Sequence, residues 1–130
     1  MPSETSKTET ATKCRQQLYV YTIPERLRTL YHENTGQECP KTIGMRDFTL
    51  QVETFAVQRA IDNNSLPAME MVKASIAKLD NEAVSTIEVD SFFNKAPKAL
   101  RDLIRDAWAI EAHYTEADEK DFFGSKTRTF

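Results

Sequence analysis

The sequence predicts a mainly α fold, with α+β as the alternative, in one small domain of four to five short helices and a few short strands. Apolar residues recur at helical spacing over 49–61, 66–79 and 98–112. Runs rich in β-branched and aromatic residues near 17–23 and 43–48 favour short strands. The length of 130 residues is that of a single domain.

The two ends of the chain are predicted to lie outside the folded domain. Residues 1–16 contain almost no large apolar side chains, so burial cannot offset the entropy of ordering them. We therefore expect a flexible N-terminal arm over 1–16, a folded domain over 17–124 and a polar C-terminal tail over 125–130.

The first half of the domain is predicted to begin with a strand over 17–23. Pro24 follows and fits the first turn of a helix over 25–31, and Gly36 suits the left-handed cap position after it. A second strand is predicted over 43–48. The next helix is expected to start near Thr49.

The second half is predicted to contain two longer amphipathic helices. Ser65 is expected to cap the first, over 66–79, whose apolar stripe consists of Leu66, Met69, Val72, Ile76 and Leu79. Residues 79–84 favour either a small hairpin or a loop. Asp90 and Ser91 are expected to cap only a short turn through Phe92 and Phe93. The 98–112 segment has the clearest helical pattern in the chain.

A last short helix is predicted after Thr115, which begins a capping-box pattern with Asp118, and Gly124 is expected to end it.

Charge and composition indicate which partners and which cellular compartment to expect. The formal net charge is −3 and the sequence pI about 5.4, whereas nucleic-acid binders usually carry a basic excess. No apolar run of signal-peptide length occurs in residues 1–17, and no stretch is long enough to cross a bilayer. We expect a cytoplasmic protein with reduced thiols, and neither a nucleic acid nor a membrane as its partner.

The residue types that carry catalysis form no recognisable pattern. Cys14 and Cys39 do not form a metal-type pair, and His32 and His113 stand alone near predicted helix ends. Three glycines cannot build a phosphate-binding loop. We therefore expect no catalytic residue, no metal ligand and no cofactor, and a protein that is not an enzyme.

Binding to other proteins is the function that the composition favours. The chain carries more apolar stripes than one small core easily absorbs, which raises the hypothesis of an exposed apolar patch. The candidate partner-binding residues are Met71, Phe93, Trp108 and Phe123. The alternative is that Met71 is a scattered surface residue. The sequence leaves homo-oligomerisation open.

The run over 45–60 resembles the start of small bacteriophage tail-assembly chaperones. These proteins carry an R-x-x-T segment, then an acidic residue and an amphipathic helix, and here Arg46, Thr49 and Glu53 match those features. The order of the later segments is also similar, so the resemblance spans about residues 43–123.

The resemblance implies a protein that binds the hydrophobic tape-measure protein of a phage tail and keeps it soluble until the tail tube polymerises. Such a client would be recognised by apolar grooves and without catalytic residues. Two alternatives remain: a structural virion component, such as a tail or baseplate adaptor, and a small DNA-binding regulator.

Overall fold

A computed structural model of the chain describes residues 18–127, which form one four-stranded antiparallel sheet and six helices. The strands follow the chain order across the sheet: β1 (Leu18–Thr22), β2 (Thr42–Arg46), β3 (Ile76–Leu79) and β4 (Glu82–Ala83). The helices are α1 (Glu25–Thr35), α2 (Leu50–Asn63), α3 (Pro67–Ala74), α4 (Thr86–Lys95), α5 (Lys98–Ala112) and α6 (Glu116–Gly124).

The predicted small, mainly helical domain with a few strands is confirmed, and its class is α+β. The arm predicted over 1–16 and the end of the tail, 128–130, lie outside the described residues.

One face of the sheet carries the apolar side chains of the core. Tyr21 pairs with Ile43 and Tyr19 with Met45, so these four residues lie on the same face. Ile43 and Met45 are buried there because β2 is a central strand. β1 is an edge strand, and it contributes one wall of a groove described below.

Local capping signals in the first half of the chain are confirmed. Gly36 ends α1 in the left-handed conformation, with φ 73°, and its N–H donates to the His32 carbonyl. Thr49 precedes α2, and its side chain accepts a hydrogen bond from the Val52 N–H.

The predicted helix over 66–79 is wrong in its second half. α3 ends at Ala74, and the following residues form β3, in which Ile76 pairs with Met45 and Leu79 with Ile43. A short apolar run fits either a helix or a strand. Here the strand forms because the edge of β2 that β1 leaves unpaired can form hydrogen bonds with it. Ser65 is also not the N-cap of α3, because Leu66 holds that position.

Residues 79–84 form the hairpin that was one of the two predicted alternatives. Leu79 pairs with Glu82, so the connection consists of Asp80 and Asn81. Both have positive φ, 53° and 66°, as a type I′ turn requires, and Asp and Asn tolerate that conformation better than most residues.

The short turn predicted through Phe92 and Phe93 is wrong, because α4 is a helix of ten residues that starts after Ser85. Ser85 and Glu88 form a capping box in which each side chain accepts a hydrogen bond from the backbone N–H of the other. Asp90 and Ser91 therefore lie inside this helix. The described residues therefore form six helices, one more than the four to five that the sequence predicted, and α4 is the additional helix.

A candidate protein-interaction surface

Phe93 is buried, so the predicted patch of exposed apolar residues cannot include it. Its side chain is 5% exposed and belongs to the core together with Val89 and Phe92. These three residues follow the i, i+3, i+4 spacing of one helical face, which α4 turns inward. Met71 is half-buried on α3.

The other two predicted partner-binding residues lie towards the C-terminal end of the described chain. Trp108 is half-buried against the core and makes edge-to-face contacts with Phe48 and His113, with ring centroids 5.5 and 5.2 Å apart. Phe123 is 65% exposed and contacts only the neighbouring Phe122 among the aromatic rings of residues 18–127.

The residues of the family-like motif have local structural roles. The Arg46 guanidinium donates a hydrogen bond to the Ala74 carbonyl over 3.0 Å, which ties the end of β2 to the end of α3. Burial lowers the pKa of Arg46. Thr49 caps α2, and Glu53 lies half-buried in its first turn, where the helix dipole favours a carboxylate.

A cluster of four charged side chains joins α2, α3 and α4. Glu70 is 2% exposed, and its carboxylate lies 3.2 Å from Arg59 Nε and 3.4 Å from Lys73 Nζ. Asp90 completes the cluster, 2.7 Å from Arg59 Nη2 and 3.1 Å from Lys73 Nζ. The contact between Asp90 and Lys73 is an ion pair without hydrogen-bond geometry. The Ser65 hydroxyl donates to Glu70 over 2.7 Å.

This cluster borders a small cavity of about 70 Å³, and its two cations and two anions neutralise one another. Burial alone would raise the pKa of Glu70, but the hydrogen bonds from Ser65 and Arg59 and the charge of Lys73 together lower it. The carboxylate is therefore held ionised. We interpret the cluster as a device that fixes three helices relative to one another.

Cys39 is buried in the core, and this burial raises the pKa of its thiol to about 11. A thiol with such a pKa is almost fully protonated at neutral pH and is a poor nucleophile. Within residues 18–127, no three His, Cys, Asp or Glu side chains converge in a way that could hold a metal ion. Cys14 lies outside the described residues.

An apolar groove of about 330 Å³ lies between the β1 end of the sheet and α5. The segment Tyr21–Pro24 forms one wall, and the buried residues Ile43 and Met45 of β2 lie between the walls. α5 forms the second wall. Its lining residues are Leu100, Leu103, Ile104, Asp106, Ala107 and Ile110.

The two walls of this β1–α5 groove are joined at one point. The Tyr21 hydroxyl donates a hydrogen bond to the Glu111 carboxylate over 2.7 Å. Burial and this hydrogen bond raise the pKa of Tyr21 to about 12, so the hydroxyl keeps its proton. The bond spans 90 positions of sequence and fixes the distance between β1 and α5.

Two large apolar side chains on the α5 wall reach solvent. Leu103 is 47% and Ile110 is 69% exposed, although both line the groove. They lie on one flank of α5, beside the stripe of Leu100, Ile104 and Ala107 that faces the core. A concave, mostly apolar surface with an exposed apolar rim can accept the apolar side chains of another polypeptide.

The amphipathic helix predicted over 98–112 includes Leu103 and Ile110, but the groove that they line was not predicted. The opposite wall, Tyr21–Pro24, comes from a segment about 80 positions earlier. The available signal was the wide apolar stripe on α5, which places Leu103 and Ile110 beside the residues that face the core.

Comparison with known proteins gives no match: no protein family, no curated protein and no solved structure is significantly similar to this chain. In the described part of the chain, no helix is both long and apolar enough to cross a membrane.

Proposed function

We propose that this protein binds an apolar helical segment of another protein in the β1–α5 groove. The observation that carries the proposal is the exposure of Leu103 and Ile110 at the rim of a groove whose other lining residues are mostly apolar. Exposed apolar residues grouped around a concave surface are typical of protein-binding sites. An amphipathic helix can place side chains at i, i+3, i+4 and i+7 into such a groove.

The resemblance over 45–60 supports a more specific proposal, a cytoplasmic tail-assembly chaperone whose client is the phage tape-measure protein. A long hydrophobic client needs its apolar faces covered until the tail tube assembles around it. A groove that binds by apolar contact, without a reactive centre, suits this task. The alternative is an adaptor that uses the same groove and stays in the virion.

The proposal is tested by co-expressing the chain with a phage tape-measure protein as the client and measuring the soluble client that co-purifies. Leu103→Glu and Ile110→Glu place a charge in the apolar groove. We expect each to weaken binding by about 30-fold, equivalent to about 2 kcal/mol. Ile87→Glu is the matched control, because Ile87 is 80% exposed on α4 and does not line the groove.

Unchanged client recovery with both groove variants, or an equal loss with Ile87→Glu, would contradict binding in the groove. The fate of the chain separates the two forms of the proposal. A chaperone is absent from purified phage particles, whereas an adaptor is present in them.

A further inference from the structure

The small cavity beside the charged cluster is lined by a third cation, Arg46. Arg46 is the last residue of β2, and its guanidinium donates a hydrogen bond to the Ala74 carbonyl over 3.0 Å. Ala74 lines the same cavity. A guanidinium has five N–H donors, and this is the one hydrogen bond that the Arg46 side chain forms within residues 18–127. The side chain can therefore donate to a ligand as well.

The positive charge of Arg46 has no matching negative charge in the described part of the chain. The ion pairs there either join Glu70 and Asp90 to Arg59 and Lys73 or lie on α5, and none includes Arg46. The C-terminal end of α3, which Arg46 contacts, offers only the partial charge of a helix dipole. Burial lowers the pKa of Arg46, as expected for a half-buried charge that no anion compensates.

The charges around the cavity leave a positive excess. Three cations and two carboxylates line it, and three minus two leaves one positive charge. Thr86, the first residue of α4, is also a lining residue, so the positive end of a helix dipole borders the cavity. Each of the two carboxylates lies within 3.4 Å of two cations, which limits its repulsion of a further anion. The cavity is therefore suited to one negative charge.

The size and the remaining lining residues indicate the kind of anion. A guanidinium matches a carboxylate, because two of its N–H groups can pair with the two oxygens. The cavity of about 70 Å³ has room for about five non-hydrogen atoms, since one water needs about 10–15 Å³ in this measure. A carboxylate on a stem of two carbons has this size. Apolar residues are available to cover such a stem: Phe55, Ile76, Val84 and Val89.

We propose that this cavity binds a carboxylate on a short apolar stem, with the Arg46 guanidinium donating hydrogen bonds to its oxygens. A free short-chain carboxylic acid and the glutamate side chain of another polypeptide share this chemistry. No residue lines both this cavity and the β1–α5 groove, so the site does not depend on the proposed function.

An NMR titration of the full chain with sodium propionate at constant ionic strength tests the site. The backbone N–H resonances of Ala74 and Thr86 report on the cavity, because both residues line it. We expect a saturable shift with a dissociation constant of about 1 mM, which is reasonable for a ligand of this size. Propionamide, a neutral molecule of the same shape, should give no saturable shift. Sulfate, with two negative charges, should bind more weakly than propionate.

Arg46→Gln removes the charge and keeps a donor for the Ala74 carbonyl. Since a hydrogen bond to a charged group contributes about 1.5–3 kcal/mol, we expect the variant to bind propionate at least about tenfold more weakly. Arg101→Gln is the matched control. Arg101 is also half-buried and donates to a carbonyl at a helix end, that of Ala96 over 3.1 Å, but it does not line the cavity. This control should bind propionate like the wild type, and circular dichroism checks that both variants are folded.

Four results would each overturn the proposal: no saturable shift with propionate, equal binding of propionamide, tighter binding of sulfate, or an equal loss in Arg101→Gln. The blocked peptide N-acetyl-Ala-Glu-Ala-amide then identifies the source of the carboxylate. If the peptide binds at least as tightly as propionate, the ligand is a side chain of another polypeptide. If propionate binds and the peptide does not, the ligand is a free carboxylic acid.

Discussion

At the scale of single residues, the charge of Glu70 has a large expected effect on stability. Glu70→Gln keeps the size of the side chain but leaves Arg59 and Lys73 with only Asp90 as a counter-charge. Removing one partner of a buried ion pair costs about 3–5 kcal/mol, and we expect about 3 kcal/mol because Arg59 and Asp90 still reach solvent. Denaturant unfolding of variant and wild type measures this difference.

The same residue predicts how stability depends on pH. The folded state lowers the pKa of Glu70 below its ordinary value of 4.5, so the unfolded chain binds this proton more readily. The stabilisation is therefore fully present above pH 4.5 and is lost as the pH falls through the folded pKa. Glu70→Gln should flatten the acid limb of the stability profile. An unchanged profile, or a similar loss from the more exposed Asp102→Asn on α5, would contradict this role.

Single residues also show where sequence patterns could not predict the structure. Glu70 occupies a helix position that looks solvated, and its burial depends on Arg59, Lys73 and Ser65, which only the packed helices bring together. Phe93 was expected at the surface because the chain carries more apolar stripes than one small core easily absorbs, but the core accommodates this side chain. The capping box at Ser85 was the local signal that could have corrected this.

At the scale of elements, the β3–β4 hairpin depends on Asp80. Its carboxylate accepts hydrogen bonds from the N–H groups of Lys41 and Thr42, at 2.6 and 3.2 Å, and its φ is positive. Asp80→Ala removes the one carboxylate oxygen that accepts both hydrogen bonds, and it places a Cβ-bearing residue without a polar side chain in the left-handed region. We expect a loss of about 2 kcal/mol in the free energy of unfolding.

Asn81→Gly is the matched control for the hairpin, because glycine adopts the positive φ of position 81 without strain. Its free energy of unfolding should equal or exceed that of the wild type. Equal destabilisation by both variants would show that the turn tolerates neither change. Loss of the Asp80 carboxylate would then not explain the lower free energy of unfolding of Asp80→Ala.

Two boundary signals, Gly36 and Thr49, were interpreted correctly, whereas β3, which depends on a distant partner, was not predicted. Gly36 and Thr49 act through neighbours within four residues, so their cap roles follow from the sequence. β3 exists because β2, about 30 positions earlier, offers a free edge. Its residues, Ile76–Leu79, fit a helical stripe equally well, and no local pattern distinguishes the two.

At the scale of the whole molecule, the β1–α5 groove is a product of topology. The sequence predicts more apolar stripes than one small core absorbs, and α5 exposes Leu103 and Ile110 beside its buried stripe. The shape of the site comes from β1 and β2, which the chain contributes far from α5, and from the Tyr21–Glu111 hydrogen bond across it. Spacing within one element carries no information about such a distant wall.

The exposed position of α6 leads to a prediction for the stability of the whole chain. Deleting residues 115–130 removes no buried side chain within residues 18–127, so at about 1 μM the truncated protein should unfold at the temperature of the full chain. Calorimetry compares the two proteins. A lower Tm of the truncated protein would mean that α6 packs against its own domain.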